Sequence, residues 1–201
     1  MNTNKKIHTM ALSALLIAVG VVIPMFMPIK VVIPPASFTL ASHVAIIVAM
    51  FVSPFVAVSV ALGTTLGFLL GGFPIAVVLR ALSHVVWAAI GSRYLENHPD
   101  LFLNGKRSVL FILAIALLHA VCEVAIILPL YFSHALPEAN YAQGFLYSIF
   151  TLVGIGTVVH STVDFIISLA VWRVLVKSSS ISAISNVKEV VTAQPARPRF
   201  Q

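Results

Sequence analysis

Six apolar runs divide this chain, at about 9–28, 40–53, 55–72, 74–95, 108–131 and 145–175, with polar or proline–glycine breaks between them. A helix crosses the hydrocarbon of a bilayer with about 20 apolar residues, so runs of this length read as membrane spans. Composition agrees: 60% of the 201 residues are hydrophobic and 9% charged, with a mean hydropathy of +1.06. Soluble domains carry about 25% charged residues. The expected fold class is therefore an all-α integral membrane protein with six transmembrane helices. The second run is short and is joined to the third only by Ser53 and Pro54, so merging the two would leave five spans.

The basic residues decide between these counts. Lys and Arg beside span ends stay in the cytoplasm. With six spans, Lys5, Lys6, Arg93, Lys106, Arg107, Arg173 and Lys177 all fall on one side, and the other side receives only Lys30. Six spans with both termini cytoplasmic is the self-consistent topology. It divides the chain into a cytoplasmic N-terminus (1–7), a six-helix membrane domain (8–176) and a polar tail (177–201) expected to be disordered.

The net charge of +6 marks membrane boundaries and attraction to anionic lipid, and no soluble basic domain is present to carry a nucleic-acid footprint. The first run is too long, and too poorly followed by a cleavage site, for a signal peptide. Cys122 is the single cysteine, which excludes an internal disulfide or a cysteine-based metal cluster. No phosphate-binding glycine loop occurs, "GGFP" at 71–74 being too short, so any ATP hydrolysis belongs to another subunit.

Ionisable residues inside spans normally face a cavity or a partner, because hydrocarbon disfavours them by about 2.5–3.5 kcal/mol each. Three spans carry them as i, i+4 pairs: Arg80 with His84, His119 with Glu123, and His160 with Asp164. Each pair shares a helical face. At about 1.5 Å per residue, Arg80 and Glu123 occupy the same outer layer, roughly 9 and 12 Å deep, with the histidines near mid-membrane.

Two readings of these pairs stand side by side. In the first they are structural: Arg80 and Glu123 form a buried ion pair, and His160 with Asp164 is a packing lock or a coupling element. In the second, Arg80 faces an outward pocket and receives a carboxylate through two parallel hydrogen bonds, with Glu123 orienting it and His84 one turn deeper. Trp87 and His119 are further candidates, as are His43 in the loop "PIKVVIPPASFTLASH" (28–43) and Asn140 and Tyr141 in "YFSHALPEANYAQG" (131–144). A metal reading of His119, Glu123, His160 and Asp164 is disfavoured, because a permeating metal wants more carboxylate or thiolate and Arg80 opposes a cation. No metal and no cofactor are expected.

These features resemble the substrate-binding (S) components of energy-coupling factor transporters for vitamins. The resemblance covers about residues 7–176: the six short spans, the long first outer loop, the glycine-rich third span "VALGTTLGFLLGGFP", and Ala14 and Ala18 in "ALSALLIAVG", which match the AxxxA motif by which that family docks on its coupling subunit. Small residues at i and i+4 allow close helix approach. The resemblance implies a multi-pass protein of a bacterial plasma membrane. It also implies a transmembrane coupling subunit and two ATPase subunits as partners, and a vitamin bound at the outer face. "IPPASFTLASH" is similar to subgroups for small vitamins; niacin or pantothenate would each use Arg80 as its anchor, with niacin placed ahead of pantothenate, and a neutral pyrimidine or pyridoxine-type ligand stays open should Glu123 occupy Arg80. Two other classes remain open: a stand-alone proton-coupled secondary carrier using His119, Glu123, His160 and Asp164, and a structural membrane subunit whose cavity would be dry and apolar.

Overall fold

The computed structural model describes residues 3–187. Its helices follow the apolar runs: α1 (Thr3–Phe26), α2 (Val44–Val52), α3 (Pro54–Leu70), α4 (Ile75–Asn97), α5 (Gly105–Phe132), and a π-helical segment (Tyr147–Ile155) that continues without a break into α6 (Gly156–Leu175). Among the described residues, α1, α4, α5 and the continuous Tyr147–Leu175 helix are long and apolar enough to cross a membrane, and α3 is a shorter apolar helix. The protein is a helical membrane protein.

Two features depart from six plain helical spans. The long first loop carries a hairpin: Lys30–Ile33 (β1) pairs antiparallel with Ala36–Thr39 (β2), Lys30 opposite Thr39, across a turn at Pro34 and Pro35. The second run, expected as a short span, is not a full one. At nine residues, α2 is about 14 Å long, half the thickness of the hydrocarbon. Its sequence, VAIIVAMFV, is apolar on every face, and all nine residues are buried. A helix hydrophobic all round belongs in a core, and α2 is the core, packed among α1, α3, α4 and α6.

A short helix buried inside the protein has a difficulty at each end, since its first N–H and last C=O groups lack intrahelical partners and are out of reach of bulk water. Other elements supply them. At the N-terminus, Asp164 of α6 accepts hydrogen bonds from the backbone N–H of Ala41 (2.8 Å) and of His43 (3.0 Å). Its charge also complements the positive end of the helix dipole. Ala41 adopts a left-handed conformation (φ 65°) to present its N–H there, a backbone cost that persists only because the surroundings hold it. At the C-terminus, Ser92 of α4 donates to the Met50 carbonyl (2.8 Å), and the backbone N–H groups of Asn186 and Val187 donate to the carbonyls of Phe51 and Val52.

That last contact bears on the tail. Residues 177–187, expected to be disordered, form a short helix, α7 (Ser179–Ser182), and return to the core, where Val187 is fully buried. Residues 188–201 of the expected tail lie outside the described residues.

Close packing of α1 on α3 explains the glycine-rich third run. A Cβ on Gly63 would meet Ile17 Cδ1 at 2.5 Å, and one on Gly67 would overlap Val21. Glycines four apart thus admit the branched side chains of α1.

Because Asp164 serves two otherwise orphaned donors, Asp164→Ala is expected to destabilise the purified chain by about 2–6 kcal/mol. Asp164→Asn, which keeps one acceptor, should lie between it and wild type. Thermal unfolding in detergent measures both; equal stability of wild type and Asp164→Ala would show that water replaces the cap.

Candidate functional site

The hairpin, α3, α4, α5, α6 and the loop after α5 enclose a cavity of about 450 Å³. Its upper walls are apolar: Pro34 and Phe38 from the hairpin, Phe68 and Phe73 stacked at 4.6 Å, Ile127 of α5 and Leu136 of the loop. The ionisable lining residues other than Lys30 gather on α4, α5, α6 and the entry to α2, and the hairpin, α3 and the loop after α5 add Ser37, Thr39, Thr64 and Asn140. Small-molecule sites have this character, with apolar walls and a few converging polar groups in some 300–1,000 Å³.

Arg80 and Glu123 meet across α4 and α5. Both Nε and Nη2 of Arg80 lie 2.5 Å from Glu123 Oε2. The guanidinium has five N–H donors in a planar fork; this carboxylate takes one edge, and the rest have no hydrogen-bond partner among the described residues. Oε1 of Glu123 lies 3.4 Å from Nε2 of both His84 and His119, and only the His84 contact has hydrogen-bond geometry. One carboxylate thus organises three of the predicted residues.

His43 joins them from the start of α2. Its ring lies 4.9 Å from that of His84 and 4.6 Å from that of His119, and those two rings are 4.8 Å apart. His160 lies 4.9 Å from His43 on the other side and makes a 3.1 Å contact with Ser42 Oγ. Asp164, which i, i+4 spacing pairs with His160, does stand 3.4 Å from it. The shorter bond of Asp164 is to His43 Nδ1, at 3.0 Å.

The candidates therefore separate. Arg80, His84, His119, Glu123, His43, Asn140 and His160 line the cavity. Trp87 does not: it is buried behind the histidines, 4.9 Å from the His119 ring, and forms backing rather than wall. Tyr141 does not either. Its hydroxyl accepts from the Leu136 N–H (3.2 Å), and its ring packs on Tyr131, so it braces the loop that carries Asn140. Asn140 in turn donates to the Pro137 carbonyl (2.9 Å). Asp164 lies beneath His43, outside the wall. Ala14 and Ala18 are far from the cavity, exposed on α1, while Ser13, Leu16 and Gly20 of the same helix face inward.

Among the lining residues that escaped the sequence reading, two hydroxyls stand out. Thr64 and Thr157 present buried hydroxyl oxygens with no hydrogen-bond partner. Thr157 precedes Asp164 by seven residues, so extending that face two turns along α6 would have found it; nothing in the sequence distinguishes Thr64 from Thr65. The hairpin closes over this region: Phe38 packs at 5.3 Å on His160 and lies where a Cβ on Gly156 would be, 2.6 Å away.

This chain is similar in sequence to a known transporter. The niacin transporter NiaX of Lactococcus lactis subsp. cremoris is 36% identical over 193 residues, 96% of this chain and 85% of that protein. The chain belongs to that family, the substrate-binding components of energy-coupling factor transporters. No protein-family model matches it, and no solved structure does.

Removing one member of a buried ion pair leaves the other uncompensated, at about 3–5 kcal/mol, whereas replacing both by apolar residues is often nearly neutral. For this S component, Arg80→Met and Glu123→Met are each expected to lower unfolding stability by that amount in detergent, and the double variant by much less than their sum. Additive losses would mean that the two side chains are stabilised separately.

Proposed function

We propose that this protein is the high-affinity niacin-binding subunit of an energy-coupling factor uptake transporter and that it takes the vitamin as nicotinate. The observation that carries the reading is a cavity with a buried, only partly engaged guanidinium, Arg80, in a chain 36% identical to a niacin transporter. Nicotinate is a flat aromatic carboxylate. Its ring suits the walls of Pro34, Phe38, Phe68 and Phe73, and its carboxylate suits the edge of Arg80 that Glu123 leaves open, since bidentate pairing needs two parallel N–H groups. The polar floor counts against a merely structural subunit, whose cavity would be dry and apolar.

In this reading six membrane-inserted segments, of which α2 is a half-length one, place both termini in the cytoplasm and the cavity mouth outside. The hairpin lies over that mouth. The protein resides in the plasma membrane of a bacterium, and ATP is hydrolysed by two partner subunits coupled through a transmembrane partner. Ala14 and Ala18, exposed on α1 and unused in packing within the chain, form the surface for that partner.

Charge-assisted hydrogen bonds contribute about 1.5–3 kcal/mol. Arg80→Gln should therefore weaken nicotinate binding by about tenfold to a hundredfold or more, and Arg80→Lys by somewhat less. Nicotinamide should bind poorly to wild type and lose little further in Arg80→Gln. Titration calorimetry on the purified chain completes this cycle between residue and ligand; equal losses for acid and amide would mean that Arg80 does not read the carboxylate.

Ala14→Leu or Ala18→Leu inserts several methylenes into the proposed seam. Co-purification with the coupling subunit should fall while nicotinate affinity stays at the wild-type value. Loss of both together would place these alanines in packing of the subunit itself.

A further inference from the structure

The three histidines at the cavity floor are not explained by a carboxylate bound to Arg80. One ring nitrogen from each of His43, His84 and His119 lies within 4.8 Å of one from each of the other two, all three residues being buried. Their rings stand mutually edge-on, at 74°, 77° and 90°. Imidazoles holding one tetrahedral ion at about 2.0–2.1 Å have ring centres about 5 Å apart, and these are 4.6–4.9 Å apart.

The carboxylates around them fit the same pattern. Metal-binding histidines commonly give their other ring nitrogen to a carboxylate, which fixes the tautomer and leaves a lone pair for the ion. Asp164 stands 3.0 Å from His43 Nδ1, and Glu123 stands 3.4 Å from Nε2 of both His84 and His119, with hydrogen-bond geometry to that of His84 alone. Nδ1 of His84 and both ring nitrogens of His119 are buried without a partner. Buried polar atoms are rarely left so unless a bound species completes them. The alternative trio of His43, His160 and Asp164 is less suited, because the Asp164 oxygens already accept the N–H groups of Ala41 and His43.

We propose that His43, His84 and His119 form a three-imidazole site for a divalent transition cation, with a remaining coordination position open to the cavity for the ligand. The sequence reading disfavours a metal because a permeating metal wants more carboxylate or thiolate and because Arg80 opposes a cation. Folding changes both terms. An ion held in place by three imidazoles needs neither carboxylate nor thiolate as a direct ligand, and Glu123 neutralises Arg80. With Lys30 solvated at the exposed mouth, Arg80, Glu123 and Asp164 sum to one negative charge. A divalent ion makes the site positive by one, and an anionic carboxylate brings it to zero. A pyridine nitrogen or a carboxylate oxygen is a competent ligand for such an ion.

The ligand half of this inference rests on the nicotinate reading; the metal half does not. The test uses the full chain in detergent, freed of any affinity tag and stripped with chelator, and Co²⁺ as probe. The expected result is one Co²⁺ per chain, with the intense visible bands of a low-coordinate nitrogen site. Both should be lost, or affinity reduced at least tenfold, in His84→Ala and in His119→Ala, and retained in His98→Ala, which changes an exposed histidine. The thermal unfolding of each variant identifies those that fail to fold, and His84→Gln and His119→Gln then serve in their place. Sub-stoichiometric Co²⁺, or binding that survives both substitutions, overturns the site. Adding nicotinate to the cobalt-loaded protein should shift the bands; unchanged bands overturn coordination of the ligand. Nicotinate binding by the stripped protein is measured separately, so failure of the vitamin reading is seen independently of the metal.

Discussion

The structure depends on a helix that is too short to span and too apolar to be anywhere but the centre. All nine residues of α2 are buried, which is favourable for side chains and costly for the two ends of the backbone. The solution is to bring hydrogen-bond partners from distant parts of the chain: a carboxylate from α6 at one end, and a serine of α4 with the returning tail at the other. Asp164 is the more consequential of these. A fully buried carboxylate would be untenable in the membrane alone, but against the positive end of a helix dipole, with two backbone N–H groups and an imidazole, it is matched.

The candidate site follows from that cap. By holding Ala41 and His43, Asp164 fixes where the hairpin ends and α2 begins, and so sets His43 beside His84 and His119 rather than in a solvent loop. The half-length of α2 leaves the space above it for the cavity, into which a full span would have projected side chains. Polar groups at the floor can then be buried without isolated charge, since Arg80 and Glu123 offset one another and each histidine stands near a carboxylate.

Much of this was legible in the sequence. Apolar runs located every long helix, and the i, i+4 pairs on α4, α5 and α6 named the faces that meet, because helical periodicity turns sequence spacing directly into direction. What periodicity cannot give is the relation between elements. His160 and Asp164 read as a pair since they are neighbours on one helix, whereas the closer partner of Asp164 is His43, 121 residues away. Trp87 and Tyr141 looked like pocket aromatics because aromatic residues next to a site suit both wall and backing; only the packing assigns one behind the histidines and the other to bracing a loop. The apolar run at 40–53 contains a turn and a nine-residue helix, and hydropathy does not separate a buried half-helix from a span.

Access to the cavity is constrained by the same contacts that build it. The hairpin is tied to α6 at two points, through Ala41 and His43 on Asp164 and through Phe38 on Gly156 and His160. β1 itself is exposed along its whole length, so little but its pairing with β2 holds it in place. For a ligand entering beneath the hairpin, displacing β1 would cost little while the Asp164 anchor stays made, because the exposed strand has few apolar contacts to lose and the capped backbone groups have no alternative partner in the fold. The histidine floor and its carboxylates would then keep their geometry through opening, which is what a site needs if its polar groups are to be in place before the ligand arrives.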